Sequence, residues 1–328
     1  MRSVDPTVPV TVWKEDDVVD GRRERALVAI LRTRGCHWWR RGGCSMCGYN
    51  VESAEGIGTE ELSIQLKAVL ARYEGERMVK LYTSGSFLDP DEVPPEMRKR
   101  FLRSFDGAKR VLFESRPEFV TPDVLEELPD HAAVALGLES ASDTVLRCSV
   151  NKGFSTRDYV RAAEALQARG LPVRTYVLLK PPFLTESAAI EDAKATVRFA
   201  APFSESVSVN PLNVQKGTVV EGLWRRGDYR PPWTWSLFEV LPLKRELPTV
   251  RLFSSPSGAG AQRGMHNCPS CDKGLLSALE TFNFEQDVGL LEGHDCACRR
   301  EWASLLTAER AMRTSVDVRR YLEDELAL

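Results

Sequence analysis

The chain of 328 residues has few histidines and no long apolar run. No stretch reaches the about 18 consecutive apolar residues that a membrane-spanning helix requires, so no such helix is expected. Residues 1–17 lack the apolar core and the small-residue cleavage site of a secretory signal. We therefore expect a cytoplasmic protein, and its unusual feature is eight cysteines beside only four histidines.

Neither a strong charge excess nor a biased composition is present. The 43% hydrophobic and 28% charged residues are ordinary values, which argue against a disordered, collagen-like or coiled-coil protein. The net charge of −3 argues against nucleic-acid binding over the whole surface, but it permits a local basic patch. A chain of this length is expected to form about two domains, or one large α/β domain with an appendage.

The cysteines are grouped along the chain. Three lie near the start, four form two close pairs in the last fifth, and one stands alone: Cys36, Cys44 and Cys47; Cys268, Cys271, Cys296 and Cys298; and Cys148. In a reducing compartment, clustered thiols bind metals or clusters more often than they form disulfides. The grouping predicts two such sites, and a Cys148 that packs as a small hydrophobic side chain.

Short apolar segments alternate with amphipathic ones over residues 25–214. Six strands are predicted, at 26–33, 78–87, 109–115, 131–140, 172–180 and 206–213. Helices are predicted at 59–73, 94–105, 121–130, 155–170 and 186–200. Strict alternation predicts an α/β fold with a parallel sheet, either an open doubly wound sheet or a whole or partial α/β barrel.

The two ends of the chain differ from this core in composition and in predicted secondary structure. Residues 1–24 are predicted to be an irregular lead-in, rich in proline and charge. Residues 215–328 are predicted to be a loop-rich extension that carries the second cysteine group and ends in an amphipathic helix at 315–328. We expect the core at 25–214 to carry the chemistry.

Polar residues follow the predicted strands at their carboxyl ends, where α/β barrels carry their sites. They are Thr83–Ser86, Glu114–Arg116, Glu139–Ser140, Lys180 and Asn210. For any single one of them, a turn or a surface ion pair is an equally good explanation. Their shared position makes them candidate binding residues.

The first cysteine group has the spacing C-x7-C-x2-C, in a loop directly after the first predicted strand. Structural zinc takes four closed ligands, whereas three thiolates suit a 4Fe–4S cluster with one iron open to a small molecule. His37 would supply a fourth ligand and allow zinc instead. The position at a strand's carboxyl end favours the cluster.

Several segments resemble the radical SAM superfamily, which usually spaces these cysteines C-x3-C-x2-C. They are TSGSFLD (83–89), GLES (137–140), VLLKPPFLTE (177–186) and SVNPLNVQKGTVVE (208–221). More narrowly, VWKEDDVVDG, ILRTRGCHWWRRGGCSMCGYN, LYTSGSFLDPDEVP and CACRREW resemble the archaeosine-forming radical SAM proteins over nearly the whole chain. The resemblance implies a partial (β/α)6 barrel with a small cysteine-rich C-terminal extension.

The same resemblance implies a radical SAM lyase. Members of the family act with a lysine transferase that attaches lysine to a deazaguanine in the tRNA D-loop, and then cleave a C–N bond of this adduct through a deoxyadenosyl radical. The implied cofactors are a 4Fe–4S cluster and S-adenosyl-L-methionine (SAM); the implied partners are tRNA, the transferase subunit and an external electron donor. Alternatives are another tRNA modification, such as methylthiolation or sulfur insertion, and a zinc-ribbon adaptor that binds RNA or protein without redox chemistry.

The resemblance also implies roles for single residues. Cys36, Cys44 and Cys47 become cluster ligands. Met46 is implied to contact the adenine of SAM, and Ser84, Gly85 and Ser86 its amino end. Glu114 and Glu139 are implied to bind ribose hydroxyls or the ammonium, and Arg116 and Lys180 a carboxylate of SAM or of the lysine substrate. Asn210, at the end of the sixth strand, is a further implied SAM contact.

The second cysteine group consists of Cys268-Pro-Ser-Cys271 and Cys296-Ala-Cys298, with 24 residues between the pairs. A C-x2-C pair with a distant second pair is typical of tetrahedral zinc. We expect structural zinc, because a loop-rich segment gains folding energy from a metal. The alternatives are a second iron–sulfur cluster, or a set in which His266 or His294 replaces one thiol.

A tRNA substrate would require a local basic surface. Arginine pairs and tryptophans lie near one another in the sequence: Arg32, Arg34, Arg40, Arg41, Arg225, Arg226, Arg299 and Arg300, with Trp38, Trp39, Trp224, Trp233 and Trp235. Both side-chain types stack on unpaired bases. The mildly negative net charge indicates that a partner subunit shares the capture of tRNA.

Overall fold

The computed structural model describes residues 5–312. Within them, eight strands form one sheet: Thr11–Val19 (β1), Arg22–Ile30 (β2), Met78–Tyr82 (β3), Arg110–Ser115 (β4), Ala132–Glu139 (β5), Val173–Leu179 (β6), Ser206–Pro211 (β7) and Arg251–Phe253 (β8). The α-helices of the same residues are Thr59–Leu70 (α1), Pro95–Ser104 (α2), Pro122–Glu127 (α3), Thr156–Ala168 (α4), Glu186–Ala200 (α5), Val219–Arg226 (α6), Thr234–Val240 (α7), Asp272–Glu285 (α8) and Ala297–Ala311 (α9). The expected α/β class is confirmed.

The strands lie in the sheet in the order in which they occur in the chain. β1 is antiparallel to β2, whereas β2 to β5 pair in parallel, as do β7 and β8. β3 and β5 are almost entirely buried, as expected for parallel strands covered on both faces. Parallel strands end at a common edge of the sheet, where polar side chains gather.

Residues 11–19 form a strand, contrary to the expectation of an irregular lead-in over residues 1–24. β1 pairs with β2 along its whole length, and Asp20 and Gly21 join the two strands with φ angles of 49° and 74°. Two positive φ angles and an Asp-Gly sequence are typical of a type I′ hairpin turn. The sequence did not predict β1 because its many charged residues hide the alternation typical of a strand. In the structure these charges form ion pairs, such as Asp16 with Arg23 at 2.7 Å.

Other differences are smaller. The strand expected at 78–87 ends at Tyr82, and the residues after it form a turn. The three-residue β8 was not predicted, because it is too short to show alternation. The helix predicted at 315–328 lies outside the described residues, and within these no helix has both the length and the apolar character to cross a membrane.

The chain divides into two compact units. The first comprises the segment up to Gly43, Tyr49–Gly137 and Arg157–Arg174; the second comprises Cys44–Gly48, Leu138–Thr156 and the segment from Thr175 onward. In the first unit, Phe87 stacks on Phe113 with ring centroids 4.8 Å apart. Phe101 of α2 meets Phe87 edge-on at 6.0 Å, so this helix and these strand-flanking residues share one core.

A buried group of charges also holds the first unit together. Asp17 of β1, Lys80 of β3 and Arg174 of β6 are each less than a tenth exposed. Lys80 Nζ pairs with Asp17 Oδ2 and lies 2.6 Å from Glu15 Oε1, and Arg174 Nη2 lies 3.2 Å from Asp17 Oδ2. Because each buried charge faces an opposite one, the group anchors β1 to two other strands.

In the second unit, a cluster of buried apolar side chains contains Val145, Val150, Leu178, Leu184, Ala189, Leu212, Val214, Val220 and Tyr229. Helix α5 begins at a capping residue, Thr185, whose hydroxyl accepts a bond from Ala188 N at 3.2 Å. Cys44 and Met46 pack against the apolar cluster. The turn from Cys44 to Cys47 therefore packs against this core.

Candidate functional site

The first unit places a tight turn directly after β3. Ser84, Gly85 and Ser86, which the sequence predicts at the amino end of SAM, form this turn. Ser84 Oγ lies 3.1 Å from Ser53 Oγ and donates to Tyr49 O at 3.4 Å. The turn therefore contacts the segment that follows the cysteine loop.

A buried carboxylate supports the turn from beneath. Glu92, only 1% exposed, accepts bonds from Gly85 N at 3.0 Å and Ser86 N at 2.6 Å. Thr33 Oγ1, just after β2, donates to the same carboxylate at 2.6 Å. Burial raises the pKa of Glu92, although these hydrogen bonds oppose the shift. Sequence reasoning missed Glu92, because nothing local distinguishes it from an acid in a surface loop.

Gly85 brings the turn into contact with Cys36. A Cβ at Gly85 would lie 2.7 Å from both Cα and Cβ of Cys36 and 2.6 Å from Glu92 Oε2. Cys36 N donates to Asn50 Oδ1 at 3.1 Å. Only glycine fits such a close approach. The first predicted cluster ligand and the predicted SAM turn are therefore in contact at Gly85, and we call this contact the glycine cradle.

Charged side chains surround the residues that follow Cys36. Arg116 Nε donates to Glu118 Oε1 at 2.6 Å, and its guanidinium lies 5.4 Å from the ring centroid of Trp38. The two ring nitrogens of His37 lie 3.7 Å from Asp89 and 3.6 Å from Glu118. Burial raises the pKa of Asp89. His37 thus faces carboxylates within this unit.

The other two cysteines of the first group belong to the second unit, where they bound a short turn. Cys47 N donates to Cys44 O at 3.2 Å, and both side chains are partly buried. Met46, predicted to contact adenine, is partly buried against the apolar cluster. None of the eight cysteines, all within the described range, forms a disulfide.

Two buried ion pairs occupy the carboxyl ends of strands in the second unit. Glu139 ends β5 with φ 68°, and its Oε1 lies 2.8 Å from Lys152 Nζ. Lys180 follows β6 with φ 63°, and its Nζ lies 2.6 Å from Glu186 Oε2. Positive φ angles at non-glycine residues are strained and concentrate at functional sites. Sequence reasoning missed Lys152, whose link to Glu139 is visible only in three dimensions.

The other predicted SAM contacts, Asn210 and Glu114, lie at or near strand ends. Asn210, in β7, accepts a bond from Ser208 Oγ at 2.7 Å. Glu114, near the end of β4, is partly buried, and its carbonyl accepts a bond from Phe87 N at 2.8 Å. Cys148 is partly exposed, whereas a buried position was expected.

The second cysteine group converges in the second unit. The thiols of Cys268, Cys271, Cys296 and Cys298 all lie within 4.8 Å of one another. Neighbouring Sγ atoms are 3.5–3.6 Å apart. Around one tetrahedral zinc ion with Zn–S near 2.3 Å, sulfurs are separated by about 3.8 Å. In an iron–sulfur cluster the four thiolates are divided among two or four irons, so sulfurs bound to different irons lie farther apart than around one ion.

Two helix starts and a tryptophan position the thiols of this group. Cys271 and Cys296 directly precede α8 and α9, and Trp235 Nε1 donates to Cys298 Sγ at 3.4 Å. Burial opposes ionisation, yet bonds from neighbouring thiols and an amide lower the pKa of Cys268 to about 7. Burial raises the pKa values of Cys271 and Cys298.

The flanking histidines bond elsewhere. His266 Nδ1 lies 2.8 Å from Gly264 O, and His294 Nε2 lies 2.9 Å from Leu290 O. The set of four thiols therefore needs no histidine to be complete.

The predicted RNA-contacting side chains separate into covered and exposed ones. Arg32 is buried and bonds to Glu52, so it is not available to RNA, contrary to its candidacy. Trp224 lies under Arg263 at 4.9 Å, and Arg225 and Arg226 are ion-paired. In contrast, Trp39, Tyr49 and Val51 are 51%, 55% and 66% exposed. Arg40 and Arg41 beside Trp39 are exposed as well.

Comparison with known proteins gives one family match. The model of the radical SAM superfamily matches residues 30–195, half of the 328-residue chain. The archaeosine synthase subunit beta of Methanosarcina acetivorans is 41% identical over 315 residues, which span 92% of this chain and 90% of that protein. The protein of the same name from Thermococcus kodakarensis is 40% identical over 308 residues, spanning 89% and 95%.

Two solved structures share the fold at low sequence identity. Methanocaldococcus infernus Elp3 with an N-terminal deletion has a TM-score of 0.51 at 17% identity, covering 79% of this chain and 64% of that one. Methylornithine synthase (PylB) has a TM-score of 0.50 at 18% identity, covering 69% and 63%. This chain spans less than two thirds of either, and the likeness concerns the fold alone.

Proposed function

Because this chain belongs to the radical SAM superfamily and to the family of the archaeosine synthase beta subunits, we propose that it forms archaeosine in tRNA. Its reaction is the cleavage of a C–N bond in the lysine adduct of a deazaguanine in the D-loop, which leaves the amidine of archaeosine. The observation that carries the proposal is 40–41% identity over about nine tenths of this chain.

Cys36, Cys44 and Cys47 are the proposed ligands of a 4Fe–4S cluster. The glycine cradle that Cys36 shares with the turn after β3 supports this assignment, since a ligand loop and a cofactor turn must approach closely. When bound, the cluster supplies the electron that cleaves SAM to a deoxyadenosyl radical. The chain itself binds and orients the reactants and excludes water.

The proposed SAM contacts are those of the strand ends: Met46, Ser84, Gly85, Ser86, Glu114, Glu139, Lys180 and Asn210. Two of them form buried ion pairs within the chain, since Glu139 pairs with Lys152 and Lys180 pairs with Glu186. A fixed partner holds each side chain in one orientation before a ligand arrives. We therefore add Lys152 to the residues that orient SAM, and we assign to Arg116 the role of a carboxylate partner.

The second cysteine group is proposed to hold structural zinc. Sulfur separations of 3.5–3.6 Å support a single ion over an iron–sulfur cluster. Four thiolates close the coordination shell, so no position is left open for substrate. The ion would join the starts of α8 and α9 within an extension at 215–328, beside a catalytic core at 25–214.

The proposed partners are tRNA, a tRNA lysine transferase subunit and an external electron donor, acting in the cytoplasm. Trp39, Tyr49 and Val51, with Arg40 and Arg41, form a group of exposed side chains close in sequence to the first-group cysteines, and the group offers aromatic faces and positive charge. This combination suits unpaired nucleotides and their phosphates. We assign this group to tRNA contact near the reacting base.

An anaerobic assay tests the proposal. The reconstituted protein is incubated with lysine-adduct tRNA, SAM and a reductant, and archaeosine and 5′-deoxyadenosine are measured by mass spectrometry. Both products are expected. A methylthiolated or thiolated nucleoside without archaeosine would show a different radical SAM reaction. A chain that takes up zinc but no iron would overturn the proposal in favour of an adaptor.

A further inference from the structure

One helical turn of the second unit has an unusual geometry. Val145–Val150 form a π-helical turn, which ends at Asn151 with φ 53°. Such turns are rare and frequently occur at functional sites. Like any helix end, this one leaves carbonyl groups that need donors from elsewhere.

Those donors come from between the two cysteines of the C-x2-C turn. Ser45 N donates to Val150 O at 2.9 Å, and Ser45 Oγ donates to Ser149 O at 2.6 Å. Ser45 therefore caps the π-helical turn with both its backbone and its side chain. In return, two hydrogen bonds fix the residue that follows Cys44.

The opposite side of the C-x2-C turn is held as well. Val220 N, at the start of α6, donates to Ser45 O at 3.4 Å, and Gly48 N donates to Gln215 Oε1 at 2.5 Å. A Cβ at Gly48 would lie 3.0 Å from Gln215 Cβ and Lys216 O. The backbone from Cys44 to Gly48 is thus clamped on two sides, and its side chains pack on the apolar cluster.

The other end of the π-helical turn leads to the ion pair at β5. Lys152 N donates to Leu146 O at 2.8 Å, and Lys152 Nζ lies 2.8 Å from Glu139 Oε1. One short segment therefore contacts both the C-x2-C turn and a proposed SAM contact. Its geometry links the positions of the two.

We propose that the π-helical turn is a positioning element for the cluster and that Ser45 is the positioning residue through which it acts. This inference rests on the proposed function only in taking Cys44 and Cys47 as cluster ligands. A ligand loop that is already ordered loses little freedom when it binds a metal group. Groups that orient metal ligands typically contribute 10–100-fold to affinity.

The test compares Ser45→Ala with Ser149→Ala in the anaerobically reconstituted full-length chain. The control removes only the hydroxyl bond from Ser149 to Pro182 O and leaves the Ser149 carbonyl that accepts from Ser45. Iron release to a chelator is followed by absorbance. We expect about 10-fold or faster release from Ser45→Ala, release close to wild type from Ser149→Ala, and recovery in Ser45→Thr, which keeps the hydroxyl.

Wild-type release from Ser45→Ala would overturn the inference, as would equally fast release from the control. If wild type itself takes up no iron, the proposed function fails instead, so the two failures are distinguishable. Melting of the cluster-free proteins reports folding. Should Ser45→Ala not fold, Gln215→Ala, which removes the bond to Gly48, replaces it with the same expected and contrary results.

Discussion

Replacing Gly85 by alanine tests whether the turn after β3 must touch the Cys36 loop. The added Cβ would lie 2.7 Å from Cα and Cβ of Cys36 and 2.6 Å from Glu92 Oε2. Carbon atoms in contact prefer about 3.5–4.0 Å. One of the two segments must therefore move by about 0.8 Å or more.

A shift of that size is large on the scale of catalysis. Misplacing a reacting group by about 1 Å lowers rates roughly 100-fold, whereas overpacking costs only about 1–3 kcal/mol of stability. We expect Gly85→Ala to fold, to bind iron less firmly, and to form 5′-deoxyadenosine about 100-fold more slowly than wild type. Single-turnover product formation, iron content and thermal melting measure the three effects.

Gly107→Ala provides the matched control in the same unit. Its added Cβ has Tyr73 Oη as the nearest neighbour, at an ordinary 3.9 Å. This variant should keep the wild-type rate. A Gly85→Ala rate within threefold of wild type would refute the steric reasoning, and so would an equal loss in both variants.

Three further predictions concern buried or clustered groups. Asp17→Asn removes the carboxylate that buried Lys80 and Arg174 share, although Lys80 keeps its pair with Glu15. It should lower the free energy of unfolding in urea by about 3–5 kcal/mol, and a loss below about 1 kcal/mol would contradict the ion-group argument. Cys271→Ser should remove zinc and lower the melting temperature, whereas Cys148→Ser should do neither; unchanged zinc content would refute the four-thiol site. Burial raises the pKa of the Tyr229 hydroxyl, so the unfolded chain loses this proton at a lower pH than the folded chain does, and the free energy of unfolding should fall as the pH rises above about 10. In urea titrations at pH 9–11, the free energy of unfolding of Tyr229→Phe should fall less steeply with pH than that of wild type. Equal slopes would show that Tyr229 does not cause the pH dependence.

The parts of the fold with strong periodicity were predictable. Helix α5 occupies 186–200 as expected, and the six core strands lie within five residues of their predicted bounds. Buried apolar runs and capping residues such as Thr185 are local signals, which act through neighbours in the sequence. The family match confirms the α/β radical SAM fold that the sequence indicated.

The misses share a physical cause. β1 was hidden because its charges are paired with residues of other strands, such as Lys80. Glu92 and Lys152 were passed over since their roles depend on partners that only the folded chain brings close. Spacing predicted the four-thiol group, whereas the SAM contacts stay predictions, because a polar residue at a strand end has many possible partners.

The buried group around Asp17 has a consequence for synthesis of the chain. Asp17 and Arg174 are 157 residues apart in sequence, so at about 5–20 residues per second the ribosome needs roughly 8–30 s to supply the second cation. The β1–β2 hairpin can form within microseconds of emerging, but its carboxylate lacks this counter-charge until β6 appears. The first unit therefore cannot complete this ion group until more than half of the chain has been translated.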